Sequence, residues 1–345
     1  MGKLTFVQFL KDQLLYHAPV LRKDLSGQTV VVVGANVGLG YEAAKHFATM
    51  GAARVIMACR SKERGAAAVE RVQLETGCHN TELMLVDFAD LNSTTKFAAE
   101  LEARVDRLDL LVLNAGKAPD GTKRQETVDG WESTIQVNFM ASSILALLLV
   151  PIMARTSRER HTLPRIVIVA SAMHYWAKPW DADIFYQPEI LKALSDQEEI
   201  AINARYQDTK LLNVLFARAL NERLRSTHPS VIVNSVNPGL CSTTITRNIA
   251  PSDLPRGARI MQALLSVSAE VGSRELVWAA LGGSEHAKSM RGAYVDRCAV
   301  REPSDYVLSE QGRIAQDRIW REIVSIGKKI EPRVAEIVKD HLLDL

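Results

Sequence analysis

Short β-branched runs alternate along the chain with longer segments of helical periodicity. TVVVVG at 29–34, ARVIMAC at 53–59, ELMLVD at 82–87, LDLLVLNAG at 108–116, RIVIVAS at 165–171 and VIVNSVNPG at 231–239 are continuous apolar runs rather than alternating ones. Continuous runs are expected of strands covered by helices on both faces. The pattern therefore predicts an α/β fold, a three-layer, doubly wound parallel sheet, with GAYVDRCAV at 292–300 as one further edge strand. No linker, charge block or internal repeat divides the chain, so one body over 27–300 carries four additions. These are an N-terminal helical extension (1–26), an insertion (174–203), a lid region (242–267) and a C-terminal helical tail (301–345). Phe6, Val7, Leu10 and Leu14 recur at helical spacing in the extension; packing onto the body is their expected fate, the alternative being rest on a membrane surface, for which the Lys/Arg-rich polar face is lacking. In the tail, Ile319, Ile323, Ile326 and Ile330 form one stripe that Pro332 interrupts, explained by packing or subunit contact.

Composition narrows the classes. With 47% hydrophobic and 24% charged residues among 345, the chain can bury a sizeable core. Lys plus Arg number 42 against 40 Asp plus Glu, a net charge of +2, which leaves no basic footprint for nucleic acid. Cys59, Cys78, Cys241 and Cys298 show neither CxxC spacing nor His partners, so no zinc site or disulfide framework is indicated. The apolar stretch ASSILALLLVPIMA, about 14 residues, falls short of the roughly 20 that span a bilayer. It reads as a buried helix rather than a transmembrane segment. Lys11 and Asp12 break any secretory apolar core, and a reducing, cytoplasmic setting is expected.

The strand at 29–34 runs into GANVGLG, which places Gly34, Gly38 and Gly40 where the chain turns into a helix at 41–50. Such glycines allow a tight turn and let backbone N–H groups approach a pyrophosphate at a helix N-terminus, as in Rossmann-type sites. The alternative is ordinary packing glycines in a βα turn. An NAD site usually ends its second strand in an acidic residue; here that strand ends in Cys59 and Arg60, followed by Lys62 and Arg64. A planar guanidinium suits a 2′-phosphate, so Arg60 points to NADP(H), unless the three cations merely solvate a helix start. Tyr206 and Lys210 stand at i, i+4 on one helix face, where an ammonium is expected to draw the phenol pKa toward neutrality. Ser171 closes the fifth strand on the carboxyl edge, where α/β sheets bind ligands.

Over about residues 27–300 the chain resembles the short-chain dehydrogenase/reductase family. The resemblance rests on VGANVGLG at 33–40, Asp87 in VDFADL, LNAG at 113–116, Asn138 in QVNFMAS, Ser171, YxxxK at 206–210 and NPGLCST at 237–243. The ACRS and DFADL wording is similar to the retinol dehydrogenase-like subgroup and its fungal relatives. The resemblance implies that Tyr206 is the general acid/base, that Ser171 hydrogen-bonds the reacting oxygen, that Lys210 holds the ribose, and that Asn138 holds a relay water. It assigns cofactor contacts to Gly34, Asn36, Gly38, Leu39, Gly40, Arg60, Asp87, Phe88, Asn114, Ala115, Gly116, Tyr206, Lys210, Pro238, Gly239 and Thr243. Ser171, His174, Trp176, Trp180 and Leu240 would meet the substrate. A loop role outside the chemistry is favoured for His174, and the tryptophans equally suit fastening of the insertion.

Three positions depart from the family pattern: Val33 in place of Thr, Leu113 in place of Asn, and a Ser171 to Tyr206 separation of 35 residues. The implied activity is interconversion of a hydrophobic ketone or aldehyde with its alcohol, a carbonyl reductase type of oxidoreductase, with secondary metabolism as its setting. A non-redox isomerase or cyclase, or a nucleotide-sensing binding protein, would use the same scaffold. The implied assembly is a homodimer or homotetramer through 141–154 and 209–224, unless the additions at both ends leave a monomer. Met261, Leu264 and Leu265 belong either to the pocket or to the core. Cys241 reads as a buried thiol.

Overall fold

The computed structural model describes residues 5–16, 18–119, 121–178, 180, 182–224, 231–242 and 265–343. The expectations for Thr243, Met261 and Leu264 lie outside these residues, as does the Phe6 side chain. Each apolar run forms a strand: β1 (Thr29–Val33), β2 (Arg54–Cys59), β3 (Thr81–Leu85), β4 (Leu110–Leu113), β5 (Arg165–Val169), β6 (Ile232–Asn237) and β7 (Tyr294–Asp296). They pair in parallel in the order β3-β2-β1-β4-β5-β6-β7, and β8 (Ala299–Arg301) adds one antiparallel edge strand. The order reverses between β1 and β4, and ligands bind at the carboxyl ends of the strands beside such a switch point.

The edge differs from the single strand expected there. Residues 292–300 hold a hairpin whose two-residue turn, Arg297 and Cys298, has φ of 54° and 47°. Both φ values are those of a type I′ turn, which normally favours Asn-Gly. Here a buried carboxylate holds the left-handed backbone: Glu275 Oε2 accepts the Cys298 N–H at 2.9 Å.

Helices cover both faces. On one side α2 (Gly38–Thr49), α3 (Lys62–Thr76) and α7 (Ala269–Leu281) pack with Val30, Val32, Val55 and Met57; α4, α5 and α6 cover the other. Of these, α4 spans Leu91–Arg104, α5 spans Ala141–Arg160 and α6 spans Ile202–Arg223. The apolar run at 141–154 is indeed buried, with Ile144 through Val150 at 0% exposure. Its helix continues through Pro151 to Arg160. Residues Ser133–Arg160 are long and apolar enough to cross a membrane, yet they lie inside the protein.

Burial of α5 on all sides has a cause in the tail. Helices α8 (Glu310–Ile330) and α9 (Arg333–His341) lie over α6 and α5. Ile319, Ile323 and Ile326 are buried there, and Trp320 stacks on Phe216 with ring centroids 6.0 Å apart. The fully buried Arg223 guanidinium reaches Asp317 Oδ1 at 2.7 Å. Glu322 on α8 accepts the Leu191 and Lys192 amides at 3.0 and 3.1 Å, which pins the insertion helix Ile190–Ser195. Burial pushes the Glu322 carboxyl up to about 7. The faces of α5 and α6 that the family resemblance assigned to subunit contact are thus largely covered by the chain's own tail.

Candidate active site

The glycine turn is built as its spacing requires. Gly34 and Gly38 take φ of +81° and +61°, and α2 begins at Gly38. A Cβ on Gly34 would sit 2.8 Å from Ala115 Cα, and one on Gly40 would sit 2.3 Å from Gly34 O. Asn114 Nδ2 donates to Gly34 O at 3.0 Å and braces the turn from β4. Val37, the residue ahead of α2, makes no side-chain cap hydrogen bond, which leaves the first-turn N–H groups for an anion. This uncapped, side-chain-free cradle fits the pyrophosphate of a dinucleotide. Leu39 packs against Gly272 of α7, where a Cβ would lie 2.8 Å from Leu39 Cδ2.

At the end of β2, Arg60 is largely exposed and its Nε lies 4.0 Å from Asp87 Oδ2. So open an ion pair adds little stability, and the guanidinium is free to exchange partners. Lys62 and Arg64 are exposed at the start of α3, whose cap is Ser61. Asp87 accepts the Ala89 N–H through Oδ1. The Phe88 side chain is 4% exposed and lies in the core, which leaves only its backbone for the cofactor contact expected of it.

Ser171 follows the end of β5, and Tyr206 and Lys210 come from α6. Ser171 caps the turn Ala172–Tyr175, its Oγ accepting the Met173 N–H at 3.2 Å. The 35-residue separation is absorbed by the insertion, and α6 still carries Tyr206 and Lys210 one turn apart, with Lys210 Nζ 5.4 Å from the Tyr206 ring centroid. Lys210 is buried and donates to Val169 O at 2.8 Å, within two residues of Ser171. Burial brings the Lys210 amine down to about 8. Burial also raises the Tyr206 phenol, and nearby Cys241 adds to the rise. The expected lowering of the phenol by the ammonium does not prevail, because both groups are desolvated together.

Asn138 sits in a π-helical turn, Gln136–Met140, a distortion often found at functional sites. Its amide is engaged with Lys117 N and O, both at 2.8 Å, and with Thr209 Oγ1 at 3.1 Å. It locks the β4 loop to the helix that bears Tyr206. Gly116 lies beneath it, with a Cβ position 3.4 Å from Asn138 Oδ1.

Of the residues expected to meet a substrate, two point inward. His174 has no exposed surface; Nδ1 bonds Ser171 O at 2.8 Å, and Nε2 accepts the Ser304 N–H at 3.1 Å. Burial holds its pKa near 4, so the ring is neutral. Trp180 is buried against Tyr306 and donates to Asp208 at 3.2 Å, fastening the insertion. Trp176 remains half-buried, edge-on to Phe9 of helix α1 (Phe6–Leu15). Between α1 and the ends of β5 to β7 lies a cavity with about 530 Å³ of empty space, its open mouth included, bordered by Phe9, Gln13, Ala172, Pro238 and Gly239.

Sequence reasoning missed the residues that tie this rim together. Asn237 Oδ1 accepts from Ala172 N at 3.0 Å and Gly239 N at 3.2 Å, while Nδ2 donates to Asp296 at 3.1 Å, linking β5, β6 and β7. Its place in NPG was the available signal. Helix α1 does pack onto the body, but through Phe9, Asp12, Gln13 and Tyr16; Val7 and Leu14 of the expected stripe are 75% and 57% exposed. Among the described residues no group of His, Cys, Asp and Glu could hold a metal ion.

The short chain dehydrogenase family model matches residues 28–180. The chain is 34% identical over 331 residues to the short chain dehydrogenase/reductase dmxR8 of Cryptosporiopsis, covering 94% of this chain and 98% of that one. It is 32% identical to the short-chain dehydrogenase anuD of Penicillium roqueforti, over 96% of this chain and 86% of that protein. Among solved structures, salutaridine reductase from Papaver somniferum superposes with a TM-score of 0.57 at 20% identity, over 78% of this chain and 99% of that one. With a relative this similar matched along nearly its whole length, the chain belongs to the short-chain dehydrogenase/reductase family of oxidoreductases.

Proposed function

We propose that the protein is an NADP(H)-dependent carbonyl reductase acting on a hydrophobic ketone or aldehyde. The observation that carries this reading is the pairing of a half-buried Tyr206 with a buried Lys210 beside Ser171, at the carboxyl edge of the sheet next to the glycine turn. Gly34, Asn36, Gly38, Leu39 and Gly40 would hold the pyrophosphate, Asn114 to Gly116 the ribose side, Asp87 and the Phe88 backbone the adenine, and Pro238 and Gly239 the nicotinamide end. The nucleotide supplies the hydride. In this reading Tyr206, kept protonated by burial, donates its proton to the oxygen that gains charge, and Ser171 Oγ turns from the Met173 amide to hydrogen-bond that oxygen. Lys210, hydrogen-bonded to Val169 O, offers its remaining protons to the ribose hydroxyls and steadies the phenolate left behind.

A protonated phenol suits reduction rather than oxidation. Support for NADP(H) comes from Arg60, an exposed guanidinium where NAD-type sites carry an acid. The solved NADP complex of Pseudomonas aeruginosa RhlG shares the fold, with a TM-score of 0.56 at 22% identity over 79% of this chain and 95% of that one. Arg60→Asp is expected to weaken NADPH binding about 50-fold, the size of a lost charge-assisted hydrogen bond, while NADH binding changes less than threefold. Titration of nucleotide fluorescence measures both; equal loss for the two nucleotides would remove the 2′-phosphate role. Activity toward a panel of lipophilic carbonyls, followed by NADPH oxidation, tests the reading as a whole.

A further inference from the structure

Helix α1 lies outside every motif used above, yet residues at i, i+3, i+4 and i+7 along it and its C-cap reach three parts of the site's rim. Phe9 meets Trp176 after β5, with ring centroids 5.8 Å apart. Asp12 Oδ1 pairs with Arg297 of the β7–β8 turn at 2.5 Å, and Tyr16 lies beside Cys298 of the same turn. Gln13 takes the turn after β6. Its Oε1 accepts the Leu240 N–H at 3.1 Å, and its Nε2 donates to Leu240 O at 2.8 Å and Leu265 O at 2.9 Å. A primary amide accepts the N–H and donates to the C=O of one residue at the same time while staying neutral.

We infer that Gln13 is a positioning residue for the nicotinamide end of the site, holding the Pro238–Leu240 turn in the shape the nucleotide meets. The inference rests on the nucleotide reading proposed above. Gly239, at φ +80°, has no Cβ to fix its backbone, and Asn237 holds it from one side only. The Gln13 carboxamide supplies the other side: the Cβ position of Gly239 is 3.4 Å from Gln13 Oε1. It also joins Leu240 to Leu265, beside the strand-like pairing in which Val267 N donates to Leu240 O and Ser242 N to Val267 O. An N-terminal extension remote in sequence thereby becomes part of the binding site, through preorganisation rather than direct contact.

Affinities of the full chain for NADPH and for adenosine 2′,5′-bisphosphate, which carries the adenine half alone, test this. Gln13→Leu, similar in size but unable to hydrogen-bond, is expected to weaken NADPH about tenfold and leave the bisphosphate within twofold. Gln13→Glu keeps the acceptor toward the Leu240 amide but turns an acceptor-only oxygen on the Leu240 and Leu265 carbonyls, so its loss for NADPH is at least that of the leucine variant; it carries the test if the leucine variant does not fold. NADPH affinity that is unchanged or tighter in these variants overturns the inference, as does an equal loss for both ligands. Wild-type protein that binds neither ligand overturns the nucleotide reading itself, a result distinct from the others.

Discussion

Tyr206→Phe is expected to lower kcat/KM for carbonyl reduction about 10³-fold, within the range that a positioned general acid contributes, and to leave the NADPH Kd within twofold. The substitution removes one oxygen and nothing that holds α6. Thr209 Oγ1 donates to the backbone carbonyl of residue 206, and the ring keeps its place over Lys210. The pH dependence separates the two groups. Burial disfavours both charged forms, so the phenol stays protonated across the neutral range while Lys210 titrates near 8. Below that pH the lysine is an ammonium that eases transfer of the phenol proton; above it the charge is gone. Reduction rates are therefore expected to be flat up to about pH 7.5 and to fall as pH rises through 8. Lys210→Met would be slow and flat throughout. A Tyr206→Phe variant with wild-type rates would remove the proton-donor role.

The second large effect is expected at Gly40. An alanine Cβ would stand 2.3 Å from Gly34 O, 2.6 Å from Asn114 Nδ2 and 2.9 Å from Gly34 C. Two of these are backbone atoms of the turn itself, so relief has to come from moving the phosphate cradle. Gly40→Ala is expected to cost about 2 kcal/mol of stability, typical of overpacking, and to weaken dinucleotide binding at least about 100-fold because the amides no longer converge. Thermal denaturation and nucleotide titration read the two effects separately. Gly77→Asn is the control, since Gly77 ends α3 at φ +70° with open space around it and Asn tolerates that conformation. Unaltered nucleotide affinity in Gly40→Ala would mean that the turn does not hold the phosphates.

The parallel strands were legible because burial on both faces leaves an unbroken apolar run, and that signal is local. The glycine turn and the Tyr206–Lys210 pair were legible for the same reason, since each lies within one short segment. The β7–β8 hairpin was not, because Arg297-Cys298 carries none of the usual turn chemistry and depends on Glu275, far away in sequence. Gln13, Asn237 and Glu322 escaped notice because their roles are hydrogen bonds to distant backbone, which leave no periodicity. The α1 stripe was misplaced by the same blindness: its inward face is held by the polar atoms of Asp12 and Gln13 beside the ring of Phe9. His174 looked like a loop residue beside Ser171, and only the fold reveals that it joins the Ser171 carbonyl to the start of the tail.

The tail that lies across α5 and α6 has a consequence for how the core is kept dry. An apolar helix surface this large needs a cover, and here the cover is tethered through the chain itself rather than recruited from solution. A tethered cover has a fixed effective concentration, so dilution does not strip it away. The packing of Trp320 on Phe216 is therefore as secure at trace levels of protein as at high ones.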